Sequence, residues 1–406
     1  MESFLSSSKS RLTNWGCSRT GDSPRIRAYL GNPSCDLDSA VCALAQAYLE
    51  YQIARDGSSD GSKEPDHVFL PVLNVKRNEF RTKTEVRHHL RECNVDVDSL
   101  TFRDEVDLQR IHEQGKLDLS LLDHHALTGD DSGLRCAVRS VIDHRPQDRD
   151  WPWLDCDLVL EQVGSCASLV ARNVLRRRPS SMLELGKLLL GPILIDTANF
   201  SKEADRARPL DHEMAEKIEK ICSFSASERR QLYEQILKAK TDISELTPDD
   251  LLIRDLKVVN GVSIPGFPIL VRDFLQLKGA SEALRAFCEA RNCHTVVLIG
   301  MELKEERLTR DIGVYSLDAD RAANKLIEAL KSSTEPKLEL TEVKRNEQDE
   351  HQRQETRDSS SSISSGGGEL DGKFLALYTQ ANVRASRKQI LPIIQKATAS
   401  SSSTHS

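Results

Sequence analysis

Apolar runs of strand length alternate with helical stretches across residues 27–222, and an aspartate follows the carboxyl end of four of those runs. Such alternation implies βαβ units and a mostly parallel sheet. Arg27 to Gly31 reads as a strand ending in a Gly-Asn-Pro turn. The helix after it has Asp38 or Ser39 as cap and Val41, Leu44, Ala45 and Tyr48 on one face. Val68 to Val75 contains Pro71, so its pairing is expected to be imperfect or near a sheet edge. Leu117–Leu122, Val138–Ile142 and Ile193–Ile195 read as buried strands. Ser165 caps a helix with Ala167, Val170, Ala171 and Val174 inward, and Asp211 starts one with Met214, Ile218 and Ile221 inward.

The chain has 406 residues, which suggests two or three domains. The Ser-rich, basic residues 1–26 read as an unstructured tail; a mitochondrial transit peptide is the alternative, weakened by Glu2 and Asp22. After 27–222, a second, α+β domain spans 225–396, with helices at 228–240 and 272–290, strands at 262–271, 295–301 and 312–315, and a helix carrying Ala322, Leu326, Ile327 and Leu330. Residues 334–369 are rich in Glu, Gln, Arg, Ser and Gly, a composition that buries no core, and are expected to be a disordered insertion within it. Residues 397–406 read as a second tail.

A net charge of −7 argues against a general nucleic-acid coat protein, and no apolar run reaches membrane-spanning length. The ten cysteines form no Cys-x-x-Cys pair and read as reduced thiols of an intracellular protein.

The aspartates carry the chemistry. Asp36 and Asp38 follow the first strand; Asp123 opens Asp-His-His, Asp143 opens Asp-His-Arg, and Asp196 follows Ile193–Ile195. In an open parallel sheet the carboxyl ends of the strands share one crevice, where ligands bind. A lone aspartate there is ordinarily a turn or helix cap. Several in one crevice repel and raise one another's pKa unless a cation neutralises them. Carboxylates with one or two imidazoles suit Mn²⁺ or Mg²⁺ better than structural zinc, which favours thiolates. The spacing Asn32-x-x-x-Asp36-x-Asp38 allows the two carboxylates to reach two neighbouring ions. Lys257, Arg387 and Lys388 are candidate phosphate grips, Arg387 as a bidentate fork. His88, His89 and His112 read as solvated, and Arg176–Arg178 as charge at a helix C-terminus.

The motifs Gly-Asn-Pro-Ser-Cys-Asp-Leu-Asp-Ser (31–39), Pro-Val-Leu-Asn-Val-Lys-Arg (71–77), Phe-Arg-Asp-Glu-Val-Asp-Leu (102–108), Leu-Asp-His-His (122–125), Ile-Asp-His-Arg-Pro (142–146), Val-Gly-Ser-Cys-Ala-Ser-Leu-Val (163–170) and Ile-Leu-Ile-Asp-Thr-Ala-Asn-Phe (193–200) occur in one order. With Ile-Arg-Asp-Leu-Lys (253–257) and Ala-Ser-Arg-Lys-Gln-Ile-Leu-Pro (385–392), they make the chain resemble the DHH phosphoesterases. The resemblance is strongest to the prune exopolyphosphatases, relatives of the family II inorganic pyrophosphatases. It implies an α/β DHH domain followed by a smaller α+β DHH-associated domain, with the active site in the cleft between them. Asp36, Asp38, Asp123 and Asp196 would be metal ligands, with Asp123 and Asp196 bridging, and His144 a further one. His124 and His125 would support the site or touch substrate. Arg145 stands where the pyrophosphatases have another histidine beside the phosphate; Lys257, Arg387 and Lys388 match their phosphate-binding residues. Asn32 replaces a histidine ligand, a change the prune proteins share, and suits Mg²⁺ or a water-mediated contact better than Mn²⁺.

The expected activity is hydrolysis of a terminal phosphate from short-chain polyphosphate by a water activated on two or more Mn²⁺ or Mg²⁺ ions. A cyclic-nucleotide phosphodiesterase is the first alternative, although no residue stands out for stacking on a base. A signalling scaffold with weak phosphoesterase activity is the second, for which the resemblance implies a nucleoside diphosphate kinase as partner. The cytoplasm is the expected compartment, with nucleus and mitochondrion as alternatives.

Overall fold

The computed structural model describes residues 1–17, 23–57, 65–151, 153, 155–304, 307–317, 321–343 and 373–399. It divides into two units, Met1–Asp242 and Ile243–Ser406.

The first unit is built on β1 (Ile26–Leu30), β2 (Val68–Leu73), β3 (Thr101–Phe102), β4 (Leu117–Leu122), β5 (Val138–Asp143) and β6 (Asp157–Leu160), all parallel, in the spatial order β3-β2-β1-β4-β5-β6. Pro71 is tolerated one strand in from the edge because β3 pairs only with Val72 and Leu73. Helices α2 (Leu37–Asp56), α5 (Cys166–Arg177), α6 (Met182–Asp196) and α7 (Pro209–Cys222) share a core with one face of the sheet. The other face buries Ala28, Leu30, Leu70, Leu119 and Leu121 against α4 (Leu108–Glu113) and the 3₁₀ segment Gly129–Ala137. The strand order reverses direction between β1 and β4, and in a sheet of this order the crevice beyond the carboxyl ends of those two strands binds ligands.

Several expectations change. Residues 2–17 are not a tail but helix α1 (Glu2–Cys17): Phe4, Leu5, Ser8 and Trp15 line one helical stripe and are buried, Phe4 against Tyr48 and Tyr51. Serine within that stripe hid its period. Ile193–Ile195 is not a strand but the last turn of α6, where Gly191-Pro192 imitates a strand start inside a long apolar helix. The cap of α2 is Asp36, whose carboxylate accepts from Ser39 N–H, not Asp38 or Ser39. His89, on α3 (Thr84–Glu92), is fully buried rather than solvated. Helix α8 (Ala226–Thr241) packs on α3 and α6 and so belongs with the first unit.

The second unit holds a mixed sheet ordered β11-β12-β10-β9-β8-β7, from β7 (Leu256–Val259), β8 (Val262–Phe267), β9 (Thr295–Lys304), β10 (Arg307–Ser316), β11 (Leu340–Glu342) and β12 (Lys373–Gln380). Only β8 and β9 pair in parallel. Helices α9 (Pro248–Arg254), α10 (Val271–Phe274) and α11 (Ala280–Arg291) share one core with the sheet; α12 (Arg321–Ser332) and α13 (Arg387–Thr398) share the other. The expected strand 262–271 stops at Phe267, and the expected helix 272–290 is broken before α11, where Gly279 has φ +85°. The expected insertion begins later than residue 334, because Leu340–Glu342 pairs with β12; residues 344–369 lie outside the described residues. Helix α13 runs through 397 and 398. No helix among the described residues is long and apolar enough to cross a membrane.

Candidate metal centre

Each side chain of the site stands at the end of an element. Gly31 follows β1 and leaves no room for a Cβ, which would collide with Ser39 Oγ. The turn through Cys35 (φ +44°) then delivers Asp36 as the cap of α2 and Asp38 into its first turn. Asp38 is buried and faces the N-terminus of α5: its carboxylate accepts from Ser165 Oγ (2.8 Å), Cys166 N (2.7 Å) and Ala167 N (2.8 Å). Ser165 holds the cap position of α5, but Asp38 from another helix satisfies the free N–H groups there.

Asp123, 1% exposed, follows β4 in the left-handed region (φ +60°), a strained conformation for aspartate that re-aims its side chain at the switch point. Asn32 Nδ2 donates to Asp123 Oδ2 at 2.5 Å. Asp123 Oδ1 lies 3.2 Å from His144 Nε2 and 3.1 Å from Arg145 Nη1, yet has no aligned hydrogen bond. His144 Nδ1 is held by Val163 O at 3.0 Å, which turns Nε2 toward Asp123. One atom from each of Asp38, Asp123 and His144 lies within 4.8 Å of the others.

Burial, then the charge of Asp38, pushes the Asp123 carboxyl up to about 7. Burial also raises Asp38, and burial with the charges of Asp38 and Asp36 holds Asp196 well above the usual carboxylate range. For His144, burial favours the neutral ring, but Asp123 and the charge of Asp38 outweigh it and raise it to about 9. These groups resist ionising together, and two buried carboxylate oxygens, Asp123 Oδ1 and Asp196 Oδ2, lack an aligned hydrogen bond. An oxygen-rich donor set with one imidazole, crowded and short of positive charge, fits a hard divalent cation.

The other expected residues have definite places. Asp36 is half-buried and accepts from Ser39 N–H (3.1 Å) and Ser34 Oγ (2.9 Å). Asn32 Oδ1 accepts from Ser34 N (2.7 Å) and Oγ (2.5 Å), so both ends of this amide are engaged within the protein. Asp196 ends helix α6 rather than a strand. His124 is buried with Nδ1 on Leu122 O, and burial pushes its pKa down. His125 engages both ring nitrogens, Nδ1 with Asp143 Oδ2 (2.5 Å) and Nε2 with Asp148 N (2.8 Å). Asp143, expected in the crevice but not among the ligands, is fully buried and receives His144 N (2.7 Å) and Arg145 Nη1 (3.0 Å), so it seats the whole Asp-His-Arg turn. Its neighbour His125 was the visible signal. Asn74 was also missed; its Nδ2 holds Gly31 O at 2.9 Å.

In the second unit Lys257 lies exposed on β7 and Lys388 exposed on α13. Arg387 pairs with Asp255 Oδ1 at 2.6 Å and also donates to Asp255 O.

Over 405 residues the chain is 32% identical to exopolyphosphatase PRUNE1 of Bos taurus, covering 98% of this chain and 79% of that one. The chain belongs to the PRUNE1 exopolyphosphatase family. PRUNE1 of Homo sapiens is 30% identical over 93% of this chain and 76% of its own. The DHHA2 domain matches residues 234–397, beginning inside α8. A solved Methanococcus jannaschii protein assigned to the family II inorganic pyrophosphatases superposes with a TM-score of 0.48 at 18% identity, covering 76% of this chain and 91% of that one. The PRUNE1 relatives are named exopolyphosphatases, and the parallel sheet followed by a DHHA2 domain is the architecture expected from the sequence motifs.

Proposed function

We propose that the chain is a divalent-metal-dependent phosphohydrolase that releases phosphate from short-chain polyphosphate. The observation that carries this reading is the convergence of Asp38, Asp123 and His144 at the switch point of the sheet, with buried carboxylate oxygens left without an aligned hydrogen bond. Asp38, Asp123 and His144, with Asp36 and Asp196, would hold Mn²⁺ or Mg²⁺. Divalent cations there supply positive charge to the phosphoryl oxygens and lower the pKa of water for attack on phosphorus.

The chain's own residues do the rest. Val163 O fixes the tautomer of His144 so that Nε2 offers its lone pair. Asn32 steadies Asp123 with a neutral donor. Arg145 is anchored through Nη1 to Asp123 and Asp143 while 45% of its side chain stays exposed, leaving the rest of its fork for a phosphate oxygen. His125 acts indirectly, by holding the Asp143 that seats Arg145. In the second unit Lys257, Arg387 and Lys388 offer positive charge suited to phosphate, Arg387 as a planar fork and the lysines as point charges.

The test is phosphate release by the full chain in Mg²⁺ and in Mn²⁺, offered pyrophosphate, tri- and tetrapolyphosphate, long-chain polyphosphate and cyclic AMP. Metal-dependent release from tri- and tetrapolyphosphate is expected, falling to background in a folded Asp123→Ala. An active, folded Asp123→Ala overturns the site, and turnover of cyclic AMP alone overturns the substrate.

A further inference from the structure

We infer that Asp211 is a positioning residue for the metal centre: its carboxylate fixes the backbone of residues 163–168, which in turn orients Asp38 and His144. This inference rests on the metal-centre reading given above.

Asp211 lies in the first turn of α7 and is fully buried. Its Oδ2 accepts from Arg208 N (2.7 Å), the ordinary duty of a capping box. Three further donors come from elsewhere in the chain. Gly164 N reaches the same oxygen at 2.7 Å, while Ser165 N (3.3 Å) and Ser168 Oγ (2.6 Å) reach Oδ1. Helix α7 already has Met214, Ala215 and Ile218 to pack with, so an anchor needs no carboxylate, and burying one is unfavourable unless its hydrogen bonds are met.

What the carboxylate holds is the segment that aims the site. Val163 O takes His144 Nδ1, and Ser165 Oγ, Cys166 N and Ala167 N take Asp38. Two of the three clustered side chains are therefore oriented by one stretch of backbone, and Asp211 grips that stretch in its middle. Gly164 makes the grip feasible: a Cβ there would stand 2.9 Å from Asp211 Oδ2 and from Thr197 Cγ2. Outer partners that orient metal-binding side chains typically change metal affinity or activity about 10–100-fold when replaced.

The experiment compares full-length wild type with Asp211→Asn, near-isosteric but with an N–H₂ facing backbone N–H groups. Mn²⁺ affinity is measured by calorimetry without substrate, and thermal unfolding in chelator is followed in parallel. The expected result is an Mn²⁺ Kd raised about 10–100-fold in a chain folded at the measuring temperature, with phosphate release recovering as Mn²⁺ is raised. A merely structural role would lower the melting temperature in chelator and leave the Kd of the folded chain alone. A folded Asp211→Asn with wild-type Kd overturns the inference. If Asp211→Asn does not fold, Ser168→Ala decides instead: it removes one donor and should raise the Kd about 2–10-fold, and an unchanged Kd overturns the inference. Wild type that binds no Mn²⁺ overturns the metal-centre reading and this inference with it; wild type that binds beside an unchanged variant overturns only the role of Asp211.

Discussion

His89 Nε2 lies 3.0 Å from the carbonyl oxygen of Leu188, the group that Pro192 leaves without its helical donor. A carbonyl only accepts, so Nε2 carries the proton. Helix α3 thus repairs α6 at Leu188, about two turns before Asp196.

Burial lowers the pKa of His89 to about 4, against about 6.5 unfolded. The unfolded chain therefore binds more protons between those values, and stability contributed by His89 is present above pH 6.5 and lost as pH falls toward 4. The difference amounts to about 3 kcal/mol. Denaturant unfolding at pH 4.5 and 7 should show this loss in wild type and a smaller one in His89→Gln; equal losses would remove His89 as the source.

Gly191→Ala should destabilise the first unit. An exposed helical Gly→Ala gains up to about 1 kcal/mol, but here the Cβ would collide with the His89 ring, which is walled in. Overpacking of this kind costs about 1–3 kcal/mol. Chemical denaturation measures the sign, and a more stable variant would mean that the ring has somewhere to go.

Phe4→Ala tests helix α1. Phe4 is 1% exposed and its ring lies 4.8 Å from that of Tyr51. Removing it should destabilise the chain by about 3–5 kcal/mol; a tail would give no change in melting temperature.

Gly266→Ala separates binding from stability in the second unit. Its Cβ would stand 2.6 Å from Arg387 Nη1, the mobile end of a long side chain, so the fold should lose little. The guanidinium must nevertheless shift from its place beside Asp255. Steady-state kinetics should show a raised KM for tripolyphosphate with kcat nearly unchanged, as for Arg387→Lys, which keeps the charge but loses the fork. A wild-type KM in both variants would remove Arg387 from substrate binding.

Asp38, Asp123 and His144 were legible because each follows an apolar run of strand length, and a parallel sheet brings such ends together by topology alone. Asp196 ends a helix where a strand end is expected: Leu188–Ile195 is apolar all round, and such a segment is ambiguous between buried strand and buried helix. The contacts of His89 and Asp211 leave no mark in the sequence because their partners, Leu188 O and Gly164 N, are backbone groups far away along the chain.

The sequence by itself determined the alternation of strands and helices, the order of the motifs and the residues at strand ends, since these depend on local periodicity and on chain direction. Tertiary structure alone decided which buried polar side chain meets which backbone group. Asp38 accepts from the N–H groups of α5, Asn32 turns its amide to Asp123, and His89 donates to α6, because buried polar groups must find partners wherever packing places them.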